Sequence, residues 1–151
     1  MAISTNEEAR DYILAKFKAK WDADTPALTG DASVPAVEWP NIEPPQPPLS
    51  AGNKPWARIT VRHSRGSQRS FGEAPNRRFT RTGVVTVQVF VPAAKRGLVT
   101  GDRLGNVALS AFEGEESGDV WFRDAVLTEV GVDGNWYQMN ATATFEYDVL
   151  K

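Results

Sequence analysis

The sequence contains no cysteine and a single histidine, His63, among its 151 residues. Without cysteine there is no disulfide framework, no thiolate nucleophile, no iron–sulfur cluster and no cysteine-based zinc site. No apolar run approaches the roughly 20 residues of a membrane helix, so we expect no membrane partner. The first residues have neither the basic region nor the apolar region of a signal peptide, which predicts that this route of secretion is not used.

Enzyme motifs are also scarce. No serine lies in a Gly-x-Ser-x-Gly elbow, and the sequence has neither a phosphate-binding loop nor a Gly-x-Gly-x-x-Gly turn. His63 ends a series of residues that face the core, so we interpret it as structural. We therefore expect a protein that is not an enzyme and that has no catalytic residue, cofactor or metal.

The sequence does contain a concentrated block of positive charge. Overall the charges nearly balance, with 17 basic and 19 acidic residues and a net charge of −2. Residues 54–81 nevertheless carry 8 basic groups against 1 acidic group, whereas the segments before and after carry net charges of −4 and −5. The arginines of this block are Arg58, Arg62, Arg65, Arg69, Arg77, Arg78 and Arg81.

Three interpretations of these arginines stay open at this point. Arginine is favoured at protein interfaces, where it pairs with carboxylates, and head-to-tail contacts between basic and acidic surfaces close into rings. The same residues can bind a phosphate backbone, with Phe71 and Phe79 as stacking groups. The third interpretation is a solvated loop. We favour a contact between subunits or between rings.

Two amphipathic helices are predicted. The first covers residues 4–21, where Thr5 and Glu8 have the spacing of a capping box and apolar residues recur every four positions. The second covers residues 100–112, with Thr100 or Asp102 as its cap.

Alternation of apolar and polar residues predicts strands. The four longer strands are 56–63, 79–91, 120–130 and 136–150, and a shorter one is 34–39. Because residues 79–91 are apolar on nearly both faces, we expect this strand at the centre of the sheet. Residues 131–135 include two glycines and predict a hairpin connection.

Two segments interrupt this pattern. Eight of the ten prolines lie in residues 22–55, a density that excludes a long helix or a central strand there. We interpret it as an extended segment suited to wrapping a neighbour. Residues 64–78 show no periodicity and are rich in turn formers, which predicts a long basic loop.

The order of these elements predicts one domain over residues 1–151 with an α+β fold. We expect a two-layer sandwich in which two helices cover one face of a mainly antiparallel sheet, with the proline-rich segment and the basic loop added to it.

Several stretches, spread over almost the whole chain, also point to a known family. They are Phe17-Lys18-Ala19-Lys20-Trp21, Val37-Glu38-Trp39-Pro40-Asn41, Trp56-Ala57-Arg58-Ile59-Thr60-Val61, residues 81–92, Ala111-Phe112, and the closing strand from Trp136 through Phe145-Glu146-Tyr147-Asp148. With the order of elements, they resemble the tail terminator (tail completion) proteins of long-tailed bacteriophages, of the phage lambda type.

This resemblance implies a structural virion protein, assembled in the host cytoplasm and located at the tail or the tail–neck junction. Such a protein forms a homohexameric ring that caps the tail tube, ends its polymerisation and provides the surface for head–tail joining. The implied partners are further copies of the chain, the tail tube protein, the head–tail connector or neck protein, and genomic DNA that passes transiently through the lumen. The alternatives are a ring protein of the neck and a nucleic-acid-binding accessory protein that uses the basic loop.

Overall fold

The computed structural model describes residues 3–29, 32–40, 54–93, 97–113 and 119–151. The elements are helix α1 (Asn6–Asp24), strands β1 (Ala36–Glu38), β2 (Trp56–Gln68) and β3 (Arg78–Pro92), helix α2 (Gly97–Ser110), and strands β4 (Trp121–Asp133) and β5 (Trp136–Leu150).

The five strands form one sheet in the order β1-β2-β3-β5-β4. Strand β1 is parallel to β2, and every other neighbouring pair is antiparallel. The predicted α+β fold, with two helices against a mainly antiparallel sheet, is therefore confirmed. Strand β3 lies between β2 and β5, in the central position that its two apolar faces predicted.

Helix α1 is stabilised at its start by two side chains. The Thr5 hydroxyl accepts a hydrogen bond from the Glu8 backbone amide at 3.1 Å, as the predicted capping box requires. The Glu8 carboxylate, however, accepts bonds from the amide and hydroxyl of Ser4 rather than from the Thr5 amide. The helix continues to Asp24, three residues further than predicted.

The last turn of α1 is joined to the first strand of the sheet. Trp21 is buried, and its indole Nε1 donates to the Pro35 carbonyl at 3.0 Å. Strand β1 begins at the next residue, within the segment that the sequence predicted as a short strand. The predicted proline-rich segment continues through residues 41–53, which lie outside the described residues.

Both helices pack on the same face of the sheet. The apolar stripe of α1, which is Ala9, Ile13, Phe17 and Trp21, is fully buried. Helix α2 begins at Gly97, so the predicted caps Thr100 and Asp102 lie inside it. It approaches the sheet so closely that a methyl group at Gly105 would lie 2.7 Å from Leu127 Cδ1 of β4.

The prediction of a loop over residues 64–78 is wrong at both ends. Strand β2 runs to Gln68 and β3 begins at Arg78, so the loop is limited to residues 69–77. The cause of the error at the β2 end is an extra residue, Ser64, between the pairs His63–Gly83 and Arg65–Thr82. One extra residue breaks the two-residue alternation of side chains although the backbone pairing continues.

The connection between β4 and β5 is also shorter than predicted. Only Gly134 and Asn135 lie between the strands. Gly134 has a φ of +61°, which is the conformation that the first position of a type II′ turn requires and that glycine adopts without strain.

Candidate interaction surface

The sheet has one covered face and one face that no helix covers in the described part of the chain. We call the second the open face. Central members of the open face are Arg58, Thr60, Arg62, Val84, Thr86, Gln88, Thr142 and Thr144, as the strand pairing requires. Five of them, Thr60, Arg62, Val84, Thr86 and Gln88, line a shallow pocket of about 340 Å³.

The bulge at Ser64 decides which arginines of β2 share this face. Arg62 pairs with Val84 and Arg65 pairs with Thr82. Since Val84 and Thr82 are two residues apart on β3, they lie on the same face, and so do their partners. Without the extra residue, positions 62 and 65 would point to opposite faces. The hydroxyl of Ser64 donates to the Thr82 carbonyl at 3.2 Å.

Two of the predicted arginines are engaged within the chain. Arg58 Nε donates to Glu38 Oε2 at 2.9 Å, and its guanidinium lies 5.5 Å from the ring centroid of Trp56. Arg78 forms an ion pair with Asp148. The Asp148 carboxylate also accepts a hydrogen bond from the Thr80 hydroxyl at 2.6 Å. Their charges are thus already matched by carboxylates of the same subunit.

Two further arginines also contact other groups of the same chain. Arg77 Nε donates to the Lys151 carbonyl at 3.3 Å, beside a backbone bond from the Lys151 amide to the Arg77 carbonyl. Arg81 lies on the helix side of the sheet, with its guanidinium 5.8 Å from the Phe79 ring centroid. The seven arginines are therefore divided between two faces and one loop.

Three arginines, Arg62, Arg65 and Arg69, are exposed and form no side-chain hydrogen bond or ion pair with any described residue. Arg62 and Arg65 lie on the open face, and Arg69 begins the loop. Phe71 lies two residues further along the loop and is 92% exposed. An aromatic side chain so exposed, next to uncompensated arginines, has the composition of an interface anchor.

An aromatic cluster at the far end of the open face was not predicted. The Trp56 and Phe90 rings stack with centroids 4.1 Å apart, and Trp136 meets Trp56 edge-on at 6.3 Å. Trp56 is 4% exposed, and its indole N–H has no hydrogen-bond partner among the described residues. The rings come from three strands, so their proximity depends on strand order, which local patterns do not contain.

His63 occupies the core-facing position that the sequence predicted. Tyr147 donates its hydroxyl proton to Asn6 Oδ1 at 2.9 Å, and the same oxygen lies 2.8 Å from His63 Nε2. Because that hydroxyl has only one proton, Nε2 must be the donor and Nδ1 carries the lone pair. Nδ1 is buried without a partner among the described residues. Burial, and then the charges of Arg10 and Arg81, lower the pKa of His63 below 6.5.

The exposed edge of the sheet on β4 was also not predicted. Of the ten large apolar side chains exposed in the described part of the chain, four lie on this strand, between 43% and 67% exposed. They are Trp121, Val126, Val130 and Val132. Asp124 and Glu129 are exposed beside them and form no side-chain hydrogen bond or ion pair with described residues. Two bulges interrupt the pairing of β4 with β5, and Asp124 has a φ of +55°.

The described residues contain no group of three or more metal-ligating side chains. Within the same part of the chain, no helix combines the length and apolar content of a membrane span.

Comparison with protein-family models and with curated proteins finds no match to this chain. Among solved structures, one protein whose name states no function superposes with a TM-score of 0.54. The alignment covers 91% of this chain and 94% of that chain, at 18% sequence identity. At this identity the similarity shows a shared fold over almost the full length of both proteins, and the fold alone.

Proposed function

We propose that this chain is a structural virion protein that forms a ring, caps the tail tube and ends its polymerisation. The observation that carries the proposal is the tip of the β2–β3 hairpin, where Arg65, Arg69 and Phe71 are exposed and lack partners among the described residues. The tail terminator resemblance supplies the task of the ring, and the hairpin supplies a surface for assembly.

The physical support is the composition of this surface. Interface cores are enriched in aromatic residues and arginine. A soluble monomer gains nothing from exposing Phe71, because burying a phenylalanine side chain contributes about 1.5–3 kcal/mol. Contact with another protein surface recovers that free energy. The proposed partners are further copies of this chain, the tail tube protein and the head–tail connector or neck protein.

The first experiment measures the mass of the purified chain by multi-angle light scattering and images it by negative-stain electron microscopy. We expect rings with six times the 16.6 kDa mass of the monomer. Added to polymerising tail tube protein, the rings should stop tube growth, whereas a heat-unfolded sample should not. A chain that remains monomeric at every concentration, and that leaves tube length unchanged, would contradict the proposal.

The same assay separates the tail cap from the alternative position in the neck. A cap binds the end of the tail tube and shortens it, whereas a neck protein binds the connector and leaves tube growth unaffected. Binding to the connector alone would assign the ring to the neck.

A second candidate function is nucleic-acid binding, favoured by the unpaired Arg62 and Arg65 beside the Thr60 and Thr86 hydroxyls on the open face. Phosphate contacts release counterions, so such binding weakens steeply as salt rises. We expect no measurable affinity for duplex DNA at physiological salt in fluorescence anisotropy. Affinity with a steep salt slope that Arg62→Gln with Arg65→Gln reduces would favour this second function.

A further inference from the structure

We propose that neighbouring subunits join by inserting the hairpin tip of one copy against the β4 edge of the next. The tip is defined as Arg65, Arg69 and Phe71, and the edge as Asp124, Val126, Glu129 and Val130. This inference rests on the proposed ring and names the two surfaces that form its contact. The occupant of the β4 edge is thus a second copy of this chain.

The two surfaces are complementary in chemistry. The tip presents uncompensated positive charge around one exposed aromatic ring, with Phe71 92% exposed. The edge presents two uncompensated carboxylates, Asp124 and Glu129, together with the exposed side chains of Val126 and Val130. Val126 pairs with Thr142 of the open face, whereas Glu129 pairs with Met139 of the covered face, so these side chains project on both sides of the strand. Phe71 can bury its ring against an exposed valine of the edge while arginines meet the carboxylates beside it, and an apolar centre with a polar rim is the usual arrangement of an interface.

The loop that carries Arg69 and Phe71 lies far from the valines of the edge in the same subunit. Arg78, where the loop ends, pairs with Leu150 of β5, whereas Val126 pairs with Thr142. These positions are eight residues apart on β5, about 27 Å at the rise of an antiparallel strand. Strand β5 also separates β3 from β4 in the sheet. Docking must therefore take place between copies.

The form of β4 favours side-chain docking over strand addition. A free sheet edge normally invites a further strand, but pairing along β4 is interrupted between Arg123 and Val126 and again between Glu129 and Gly131. Such bulges bend the strand and change the direction of its side chains. The edge therefore presents projecting side chains to a partner in place of a regular backbone ladder.

Different patches on the two sides make the contact heterologous. A heterologous contact leaves one tip and one edge free after each addition, and it ends only when the rotation closes a ring. Asp124 and Glu129 belong to the acidic segment that follows the basic block along the sequence. The proposed contact therefore joins two oppositely charged segments of neighbouring copies.

The test uses two variants whose changes lie on exposed residues. The tip variant carries Arg69→Glu with Phe71→Asp, and the edge variant carries Glu129→Lys with Val130→Lys. A control variant, Leu98→Asp with Arg103→Glu, makes the same type of change on the exposed surface of α2. Circular dichroism and thermal unfolding establish that all three are folded.

Light scattering should show wild-type and control rings, whereas the tip and edge variants alone should be monomers. Mixed in equal amounts, they should form a 1:1 heterodimer of twice 16.6 kDa and nothing larger. The edge variant still has an intact tip and the tip variant an intact edge, so one contact forms and the next cannot.

Two outcomes would overturn the inference while leaving the ring intact: rings formed by either variant alone, or a mixture that stays monomeric while wild type forms rings. A wild-type chain that never assembles would overturn the proposed function, and this contact with it. The two failures are therefore distinguishable in one set of samples.

Discussion

His63 shows how a single residue couples the fold to pH. Its Nδ1 is buried and unprotonated, so adding a proton there creates a buried N–H without a partner. The pKa of His63 is lowered first by burial and then by Arg10 and Arg81. As pH falls below 6.5, the unfolded chain gains this proton before the folded chain does, so the unfolded state is favoured.

We expect the free energy of unfolding to fall between pH 7.5 and pH 5 by more in the wild type than in His63→Gln. Glutamine keeps a nitrogen donor for Tyr147 but does not titrate. Urea unfolding at each pH measures the difference. Glu8, whose pKa is lowered from 4.5 by its bonds to Ser4, loses its contribution only below this window. If the free energy of unfolding fell equally with pH in the two proteins, His63 would not be the cause of the pH dependence.

Residue-level prediction succeeded where a local rule applied. The position of His63 on the covered face followed from strict alternation, and the Thr5 cap followed from a three-residue spacing. The partner of Glu8 did not, because Ser4 and Thr5 both present an amide within reach of one carboxylate. Local patterns also did not predict that Arg58 is paired whereas Arg62 is not, because the partner of Arg58 is Glu38, twenty residues away in the sequence.

At the scale of elements, the bulge at Ser64 is a local insertion that the rest of the hairpin tolerates. The pairs on both sides, His63 with Gly83 and Arg65 with Thr82, are consecutive on β3. Removing Ser64 therefore makes β2 regular without moving any other residue to the opposite face. Only its hydroxyl bond to the Thr82 carbonyl is lost.

We expect deletion of Ser64 to change the free energy of unfolding by no more than about 1.5 kcal/mol, the contribution of one hydrogen bond. Deletion of Thr60 is the matched control. There the residues on one side of the gap change faces, and exposing Ile59 alone costs about 1.5–3 kcal/mol. Chemical unfolding of both deletions gives the comparison. Equal losses would show that the pairing around Ser64 has been misassigned.

The same bulge explains why one element was predicted poorly and another well. Strand β5 alternates without interruption from Trp136 to Leu150, and its predicted and observed bounds agree. Strand β2 was predicted to end at His63 because the alternation stops there, although pairing continues to Gln68. Periodicity reports where side chains point, whereas a strand is defined by its backbone partners.

At the scale of the whole molecule, the order of the strands in the sheet determines which side chains are exposed at its edges. The sequence predicted the last two strands but not that β5 lies inside and β4 outside. Strands β4 and β5 pair with each other through a short turn, whereas the second neighbour of β5 is β3, which comes from an earlier part of the chain. The exposure of the valines of β4 therefore could not be predicted until the strand order was known.

Electrostatic matching between tip and edge predicts that salt weakens assembly. Raising ionic strength from 0.1 M to 1 M shortens the screening length from about 10 Å to about 3 Å. We expect sedimentation velocity to show a shift from rings toward monomers over this range, while the melting temperature of the monomeric edge variant changes little. Rings unaffected by salt would indicate an apolar contact that does not depend on Arg69 and Glu129.

The position of Trp121 gives β4 an optical label of its own. Its indole is 43% exposed at the start of that strand, whereas Trp21 and Trp56 are 1% and 4% exposed. A quencher dissolved in water therefore reaches the fluorescence of Trp121 and not that of these two buried tryptophans. Trp39 and Trp136 are half-buried and are quenched in part. The Trp121 signal is the difference between the fluorescence of the wild type and that of a variant with tyrosine or phenylalanine at position 121. This difference allows occupancy of the β4 edge to be followed in real time without a dye.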